Sequence, residues 1–316
     1  MTTTLYLHGD CLDHDPGPQH PESPGRYAAV LHALQTAVPA MAAMEYRDAP
    51  LGTREQVLLA HDEEHWRHIE AASPATGRRS LDPDTHLSPS SRAAALRGVG
   101  AACAAVDLLQ ERTHHHVFCL TRPPGHHATA ERAMGFCVFN QIAIAALHAQ
   151  KQHGVRRIAI VDFDVHHGNG TQDIVLGRPD LLYLSTHQFP HYPGTGSRHE
   201  NRAGNIHNIP LPAGTDDSSF RVIFKAEVLP QLEAFAPELL LVSAGFDAHG
   251  DDPLASLRFT DATYGWLGEQ LAAVAMRHCQ GRLLSTLEGG YNLDALGRSV
   301  LCYLKGAEAA QRSSPI

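Results

Sequence analysis

Short apolar runs recur along the chain, each followed by a polar or glycine-rich break. They fall at Leu5 to His8, Val117 to Leu120, Ile158 to Phe163, Leu181 to Ser185, Leu239 to Ser243 and Leu283 to Leu287. Continuous runs this short predict strands covered on both faces. Longer stretches with helical character lie between them: Ser90 to Arg112, Val138 to His153, Ser218 to Phe235, Asp261 to Cys279 and Leu293 to Arg312. Ser90 is placed to cap the first, Gly154 to close the second in a left-handed conformation, and Pro237 to stop the third. The β-α-β-α order predicts an α/β fold with a mainly parallel central sheet and helices on both sides. Ligands are expected at the carboxyl ends of its strands. Two long polar connections, Ser73 to Pro89 and His187 to Asp217, are candidates for the rim of a pocket.

Composition narrows the class. The chain has 316 residues and is 43% hydrophobic, enough for one domain over 1–316. The net charge is −9, with no basic stripe, which argues against a nucleic-acid binder. An acidic surface suits a cationic substrate, and it also serves solubility. Met1 to Tyr6 has neither a basic region nor a long apolar one, so no secretory signal or membrane association is expected. The six cysteines are dispersed without a C-x-x-C pair, a reduced-thiol pattern for which the cytoplasm is the default compartment. Histidine is abundant, at 23. His148 and His153 read as surface residues, and the tract His114-His115-His116 as a solvated loop.

Other histidines sit in motifs. Val161-Asp162-Phe163-Asp164-Val165-His166-His167-Gly168-Asn169-Gly170 reads as a buried strand breaking into a turn. Strand alternation puts Asp162, Asp164 and His166 on one side, where burial is costly without a partner. A divalent metal is the simplest partner for two carboxylates and an imidazole. Three further segments follow predicted strands. Arg122-Pro123-Pro124-Gly125-His126-His127 presents paired imidazoles on a stiff turn, as acid–base chemistry requires. Ser243-Ala244-Gly245-Phe246-Asp247 offers a third metal ligand. Leu287-Glu288-Gly289-Gly290-Tyr291 lets the backbone approach a pocket and projects a phenol into it.

With these motifs in order along nearly the whole chain, the sequence resembles the histone deacetylase family. The matching strings also include His20-Pro21-Glu22-Ser23-Pro24-Gly25-Arg26, Gly135-Phe136-Cys137, Ser185-Thr186-His187-Gln188 and Tyr192-Pro193-Gly194-Thr195-Gly196. It looks closest to the bacterial class II-like branch of deacetylase-like amidohydrolases and acetylpolyamine amidohydrolases. The resemblance implies an arginase-like α/β fold and zinc-dependent hydrolysis of an acyl-amide, acetyl-lysine in a protein or peptide first. It implies one catalytic zinc on Asp164, His166 and Asp247. Tyr291 would stabilise the oxyanion, His127 would be the general base and His126 its electrostatic partner, oriented by Asp162. The Gly135 carbonyl would accept the scissile amide N–H. Phe136 and Tyr192 would wall the substrate channel, with Leu254 lower on the wall and Asp84 at the rim. A structural potassium or sodium ion would use Asp162, Ser185 and Thr186, although Ser185 alternatively caps the following loop.

Two departures stand out. Asn169 occupies the place of a class I aspartate beside the second catalytic histidine, which should lower the pKa of His127. Tyr192 stands where many relatives carry Phe, adding a polar handle. Rival readings are an acetylpolyamine amidohydrolase, a dinuclear arginase-like hydrolase and a non-catalytic binder of acylated ligands. The rim loops leave a homo-oligomer open.

Overall fold

The computed structural model describes residues 2–37, 44–113, 115–202 and 204–312. The elements run β1 (Thr2–Leu7), α1 (Asp10–Asp13), α2 (Pro24–Thr36), β2 (Met44–Asp48), α3 (Arg54–Val57), α4 (Glu63–Ala72), β3 (Arg79–Ser80), β4 (His86–Leu87), α5 (Ser91–Glu111) and β5 (His115–Cys119). They continue with α6 (Gln141–His153), β6 (Ile158–Asp162), α7 (Asn169–Val175), β7 (Leu181–Gln188), β8 (Ile206–Leu211), α8 (Asp217–Ile223), α9 (Leu229–Phe235), β9 (Leu239–Ala244), α10 (Asp261–His278), β10 (Arg282–Leu287) and α11 (Leu293–Arg312).

The main sheet has eight strands in the order β2-β1-β5-β10-β9-β6-β7-β8. Every neighbouring pair in it is parallel. Helices α2, α10 and α11 bury one face through residues such as Val30, Leu267 and Val300. Helices α5 and α6 bury the other through Val99, Leu109, Ile142 and Ile144. By length and composition α5 could cross a membrane, but 72% of its apolar window is buried inside the fold.

After β5 the chain crosses to β6, and β9 and β10 later fill the gap between them. This is a topological switch, and loops at such a point open a crevice beyond the strand ends. The His126, Asp164, Asp247 and Tyr291 segments follow β5, β6, β9 and β10, the four central neighbours.

The six apolar runs are the six inner strands. The missed strands β2 and β8 form the two edges. β2 is half polar, and β8 lies inside the long connection after His187 and carries Pro210. Gly154 closes α6 with φ +66°, as expected. The stretch 217–235 is helical throughout, but a π turn at Phe224–Val228 precedes Pro230. A wider turn accommodates a residue that lacks an N–H.

Two residues of the histidine tract, His115 and His116, are not in a solvated loop. His114 lies outside the described residues. His115 and His116 begin β5, are buried, and contact Thr4 Oγ1 at 2.8 Å and Ser285 Oγ at 3.0 Å. Burial pushes them down to about 4 and about 3, so both stay neutral. His148 is buried too, whereas His153 is exposed.

Candidate active site

β6 ends at Asp162, so strand alternation does not place all three residues of its motif. A bend after the strand aims Asp164 and His166 inward, where Asp164 Oδ1 accepts the His166 N–H at 2.9 Å. His166 Nδ1 then lies 3.1 Å from Asp164 Oδ1 and 3.1 Å from Asp247 Oδ2. Asp162 faces elsewhere, toward His126. The third carboxylate enters from the β9 loop, fixed by the Val165 N–H donating to Asp247 Oδ1 at 2.9 Å.

Asp164, His166 and Asp247 are buried and offer donor atoms within 4.8 Å of one another. Burial first, and then the Asp164 charge, pushes Asp247 up to about 7. A divalent cation there would neutralise both carboxylates and remove the conflict, and two carboxylates with one imidazole are a donor set zinc accepts. Three protein ligands leave coordination positions for water and substrate, as in catalytic rather than structural sites. Gly289 belongs to this construction. Its N–H donates to Asp164 Oδ2 at 2.8 Å, and a Cβ there would overlap Asp247 Oδ2.

The paired histidines are unlike. His126 Nδ1 lies 3.0 Å from Asp162 Oδ2, which also accepts the Tyr183 hydroxyl at 2.9 Å. Burial works against charge on His126, but Asp162 and Asp164 outweigh it and push its pKa up to about 10. His127 Nδ1 lies 2.8 Å from Asn169 Oδ1. Burial, then the charges of His126 and His166, hold His127 well below the usual imidazole range. An amide oxygen accepts a hydrogen bond from Nδ1–H, which leaves Nε2 as the free base. The two rings are 4.0 Å apart, so one charged and one neutral imidazole stand side by side.

Above them opens a channel of about 210 Å³ lined by Asp84, His127, Gly135, Phe136, His166, His191, Tyr192, Leu254 and Tyr291. Every residue expected of the channel is therefore in its wall. Phe136 and Tyr291 face each other edge to face at 5.8 Å, and Tyr192 meets His127 likewise at 5.2 Å. Phe136 has φ +67°, a costly conformation for an aromatic residue. It is held by hydrogen bonds between Met134 and Cys137 on either side and by its own N–H donating to Thr85 Oγ1 at 3.0 Å.

Ser185 does not cap a loop. It lies inside β7, in register with Asp162, and its hydroxyl contacts His187 Nδ1 at 2.8 Å.

Several supporting residues were given no role by the sequence. Glu22 is fully buried and takes Arg122 Nε at 2.6 Å and Nη2 at 2.8 Å, with Arg26 Nη1 at 3.1 Å. Arg26 donates to the Gly290 carbonyl at 2.6 Å and to the Glu288 carbonyl, and its guanidinium lies 4.9 Å from the Tyr291 ring centre. The His20–Arg26 motif thus ties the Pro-Pro-Gly-His-His turn to the Gly-Gly-Tyr turn. Glu288 Oε2 accepts the Gly125 N–H at 2.7 Å and the His126 N–H at 3.1 Å. Asp252 anchors both the Tyr291 N–H at 2.6 Å and the Leu254 N–H at 3.0 Å. His191, also unforeseen, stacks on His166 at 5.1 Å. Glu22, Arg26, Arg122 and Glu288 stood inside quoted motifs, whereas Asp252 and His191 stood in none.

Fold and site together define a metal-dependent amidohydrolase. A model of the histone deacetylase domain matches residues 20–307, and the chain belongs to the histone deacetylase family, as a deacetylase/amidohydrolase. It is 40% identical over 315 residues to "Histone deacetylase 14, chloroplastic" of Arabidopsis thaliana, covering 94% of this chain and 74% of that one. It is 36% identical to a "Probable deacetylase" of Archaeoglobus fulgidus, covering 93% and 82%. A "Histone deacetylase-like amidohydrolase" of Pseudomonas aeruginosa is 37% identical, covering 86% and 73%. Among solved structures, the HDA15 HD domain superposes with a TM-score of 0.90 at 33% identity, covering 98% of this chain and 90% of that one. Membership of the family implies zinc, for which Asp164, His166 and Asp247 are the candidate ligands.

Proposed function

We propose that the protein hydrolyses the acyl-amide of an extended primary-amine chain, acetyl-lysine in a protein or peptide first, to free amine and carboxylate. The observation that carries this reading is the buried Asp164–His166–Asp247 cluster beneath a narrow aromatic channel shared with His127 and Tyr291. Zinc held by that cluster would polarise the amide carbonyl and acidify the attacking water. His127 Nε2 takes the water proton and returns it to the amine nitrogen as the C–N bond breaks. Tyr291 donates its hydroxyl hydrogen to the developing oxyanion. His126, kept charged by Asp162, stabilises the same negative charge. The Gly135 carbonyl accepts the amide N–H, while Phe136, Tyr192 and Leu254 enclose the methylene chain. Asp84 at the rim accepts from the substrate backbone.

A potassium or sodium ion beside the site would use the Asp162 and Ser185 side chains and the main chain at Asp164, His166 and Thr186. The adjacency of Asp162 and Ser185 in the sheet supports this placement.

One observation favours acetylpolyamines as an alternative substrate. Asp84 has its pKa raised by burial and by neighbouring Asp82, so two carboxyls stand together at the channel mouth, where a second amine would emerge. The deciding experiment measures kcat/KM for acetyl-lysine peptides, acetylputrescine and acetylspermidine on the zinc-loaded enzyme. The leading reading predicts preference for the peptide, and a polyamine advantage of about a hundredfold would replace it.

A further inference from the structure

We propose that Asp107, His148 and His153 form a second metal site, remote from the active site, for a first-row transition-metal dication such as zinc. The residues come from two helices packed on the same face of the sheet: Asp107 from α5, and His148 and His153 from α6. Their donor atoms lie within 4.8 Å of one another. Asp107 Oδ1 is 2.8 Å from His148 Nε2 and 2.7 Å from His153 Nε2. The two imidazole planes cross at 70° with centroids 5.9 Å apart, so both Nε2 atoms reach one point from different directions. Tetrahedral zinc with bonds of about 2.0–2.1 Å spaces its ligands roughly 3.3 Å apart. The Asp107 carboxylate is half exposed and so has room to turn toward that spacing.

His148 distinguishes this cluster from a chance surface pairing. Its side chain is only 8% exposed, and its Nδ1 has no hydrogen-bond partner among the described residues. Its whole polar interaction therefore runs through the Nε2 atom that faces Asp107. Two imidazoles with one carboxylate select zinc, copper or nickel over magnesium and calcium. His153 ends α6, where the negative pole of the helix also favours a cation.

The site is distant from the chemistry. α6 is capped by Asn140, whose side chain donates to the Ala128 carbonyl beside the catalytic histidines at 3.1 Å. From there the helix runs about 20 Å to His153 at the opposite end of the sheet. A metal bound there would pin α5 to α6 and take no part in hydrolysis.

Equilibrium dialysis of chelator-stripped full-length protein against zinc tests the inference. The wild type should bind one equivalent more than His153→Ala, and Asp107→Asn should show the same deficit. His153 is an exposed helix end, so the variant should keep its melting temperature in chelator and its turnover of an acetyl-lysine peptide. Cobalt(II) should give wild-type absorption bands for the extra equivalent that the variant lacks. Equal stoichiometry in wild type and His153→Ala, or the same deficit in the exposed control His199→Ala, would overturn it. The readout is a difference between stoichiometries, so it does not depend on the metal at Asp164.

Discussion

His127 Nδ1 lies 2.8 Å from the amide oxygen of Asn169, whereas its neighbour His126 pairs with the carboxylate of Asp162. The carboxylate keeps His126 charged, whereas burial and the charge of His126 keep His127 neutral, because the uncharged Asn169 amide offsets them too little. The neutral ring is the base. Its pKa is depressed, so its active form persists as pH falls through the ordinary imidazole range, and the acid limb of kcat/KM should lie well below pH 6.5. Asn169→Asp adds a carboxylate that favours imidazolium, and should move that limb upward by about one to three units. A pH–rate profile of both proteins checks this. An unmoved limb would mean that His127 is not the base.

Tyr291 should contribute through its hydroxyl alone. Tyr291→Phe keeps the ring against Phe136 and the guanidinium of Arg26 and removes the donor. Loss of one such donor costs about 10²–10³ in kcat. Zinc content and KM should change little, which metal analysis and steady-state kinetics would show.

Gly289 should be indispensable for metal retention, because a methyl group there would overlap Asp247 Oδ2 and crowd Asp164. Gly289→Ala should fold, with less than half the zinc of the wild type at the catalytic site. Inductively coupled plasma analysis in the His153→Ala background isolates that site.

Glu22 should govern stability. Removing the carboxylate leaves Arg122 and Arg26 buried without their shared partner, at a cost of about 3–5 kcal/mol. Burial raises the Glu22 pKa, but Arg122 and then His14 outweigh it, and the folded value lies well below 4.5. The contribution is therefore complete above pH 4.5 and fades as pH falls toward the lower folded value. Urea unfolding of wild type and Glu22→Gln at pH 7 and pH 4 should show a gap that narrows on acidification.

The inner strands were legible because burial on both faces leaves only apolar residues, as in Leu239 to Val242. The edges were not, since β2 carries Glu45, Arg47 and Asp48 where one side has no neighbouring strand. The site was legible where its chemistry sits in contiguous motifs, as at 126–127 and 162–170. The clamp was not. Glu22 meets Arg122 across 100 residues of chain, and Arg26 meets Gly290 across 264, pairings that no local pattern announces. Asp164 and His166 were singled out by an alternation argument that applies only as far as Asp162, because a bend rather than a strand places them.

The central claim is that one cation held by Asp164, His166 and Asp247 makes the channel hydrolytic. The most direct measurement is hydrolysis of an acetyl-lysine peptide by chelator-stripped protein as zinc is restored, for wild type and Asp247→Asn. The account predicts no turnover without metal, full recovery once the tightest site is filled, and none in the variant. Undiminished hydrolysis by the metal-free protein, or by Asp247→Asn, would contradict it.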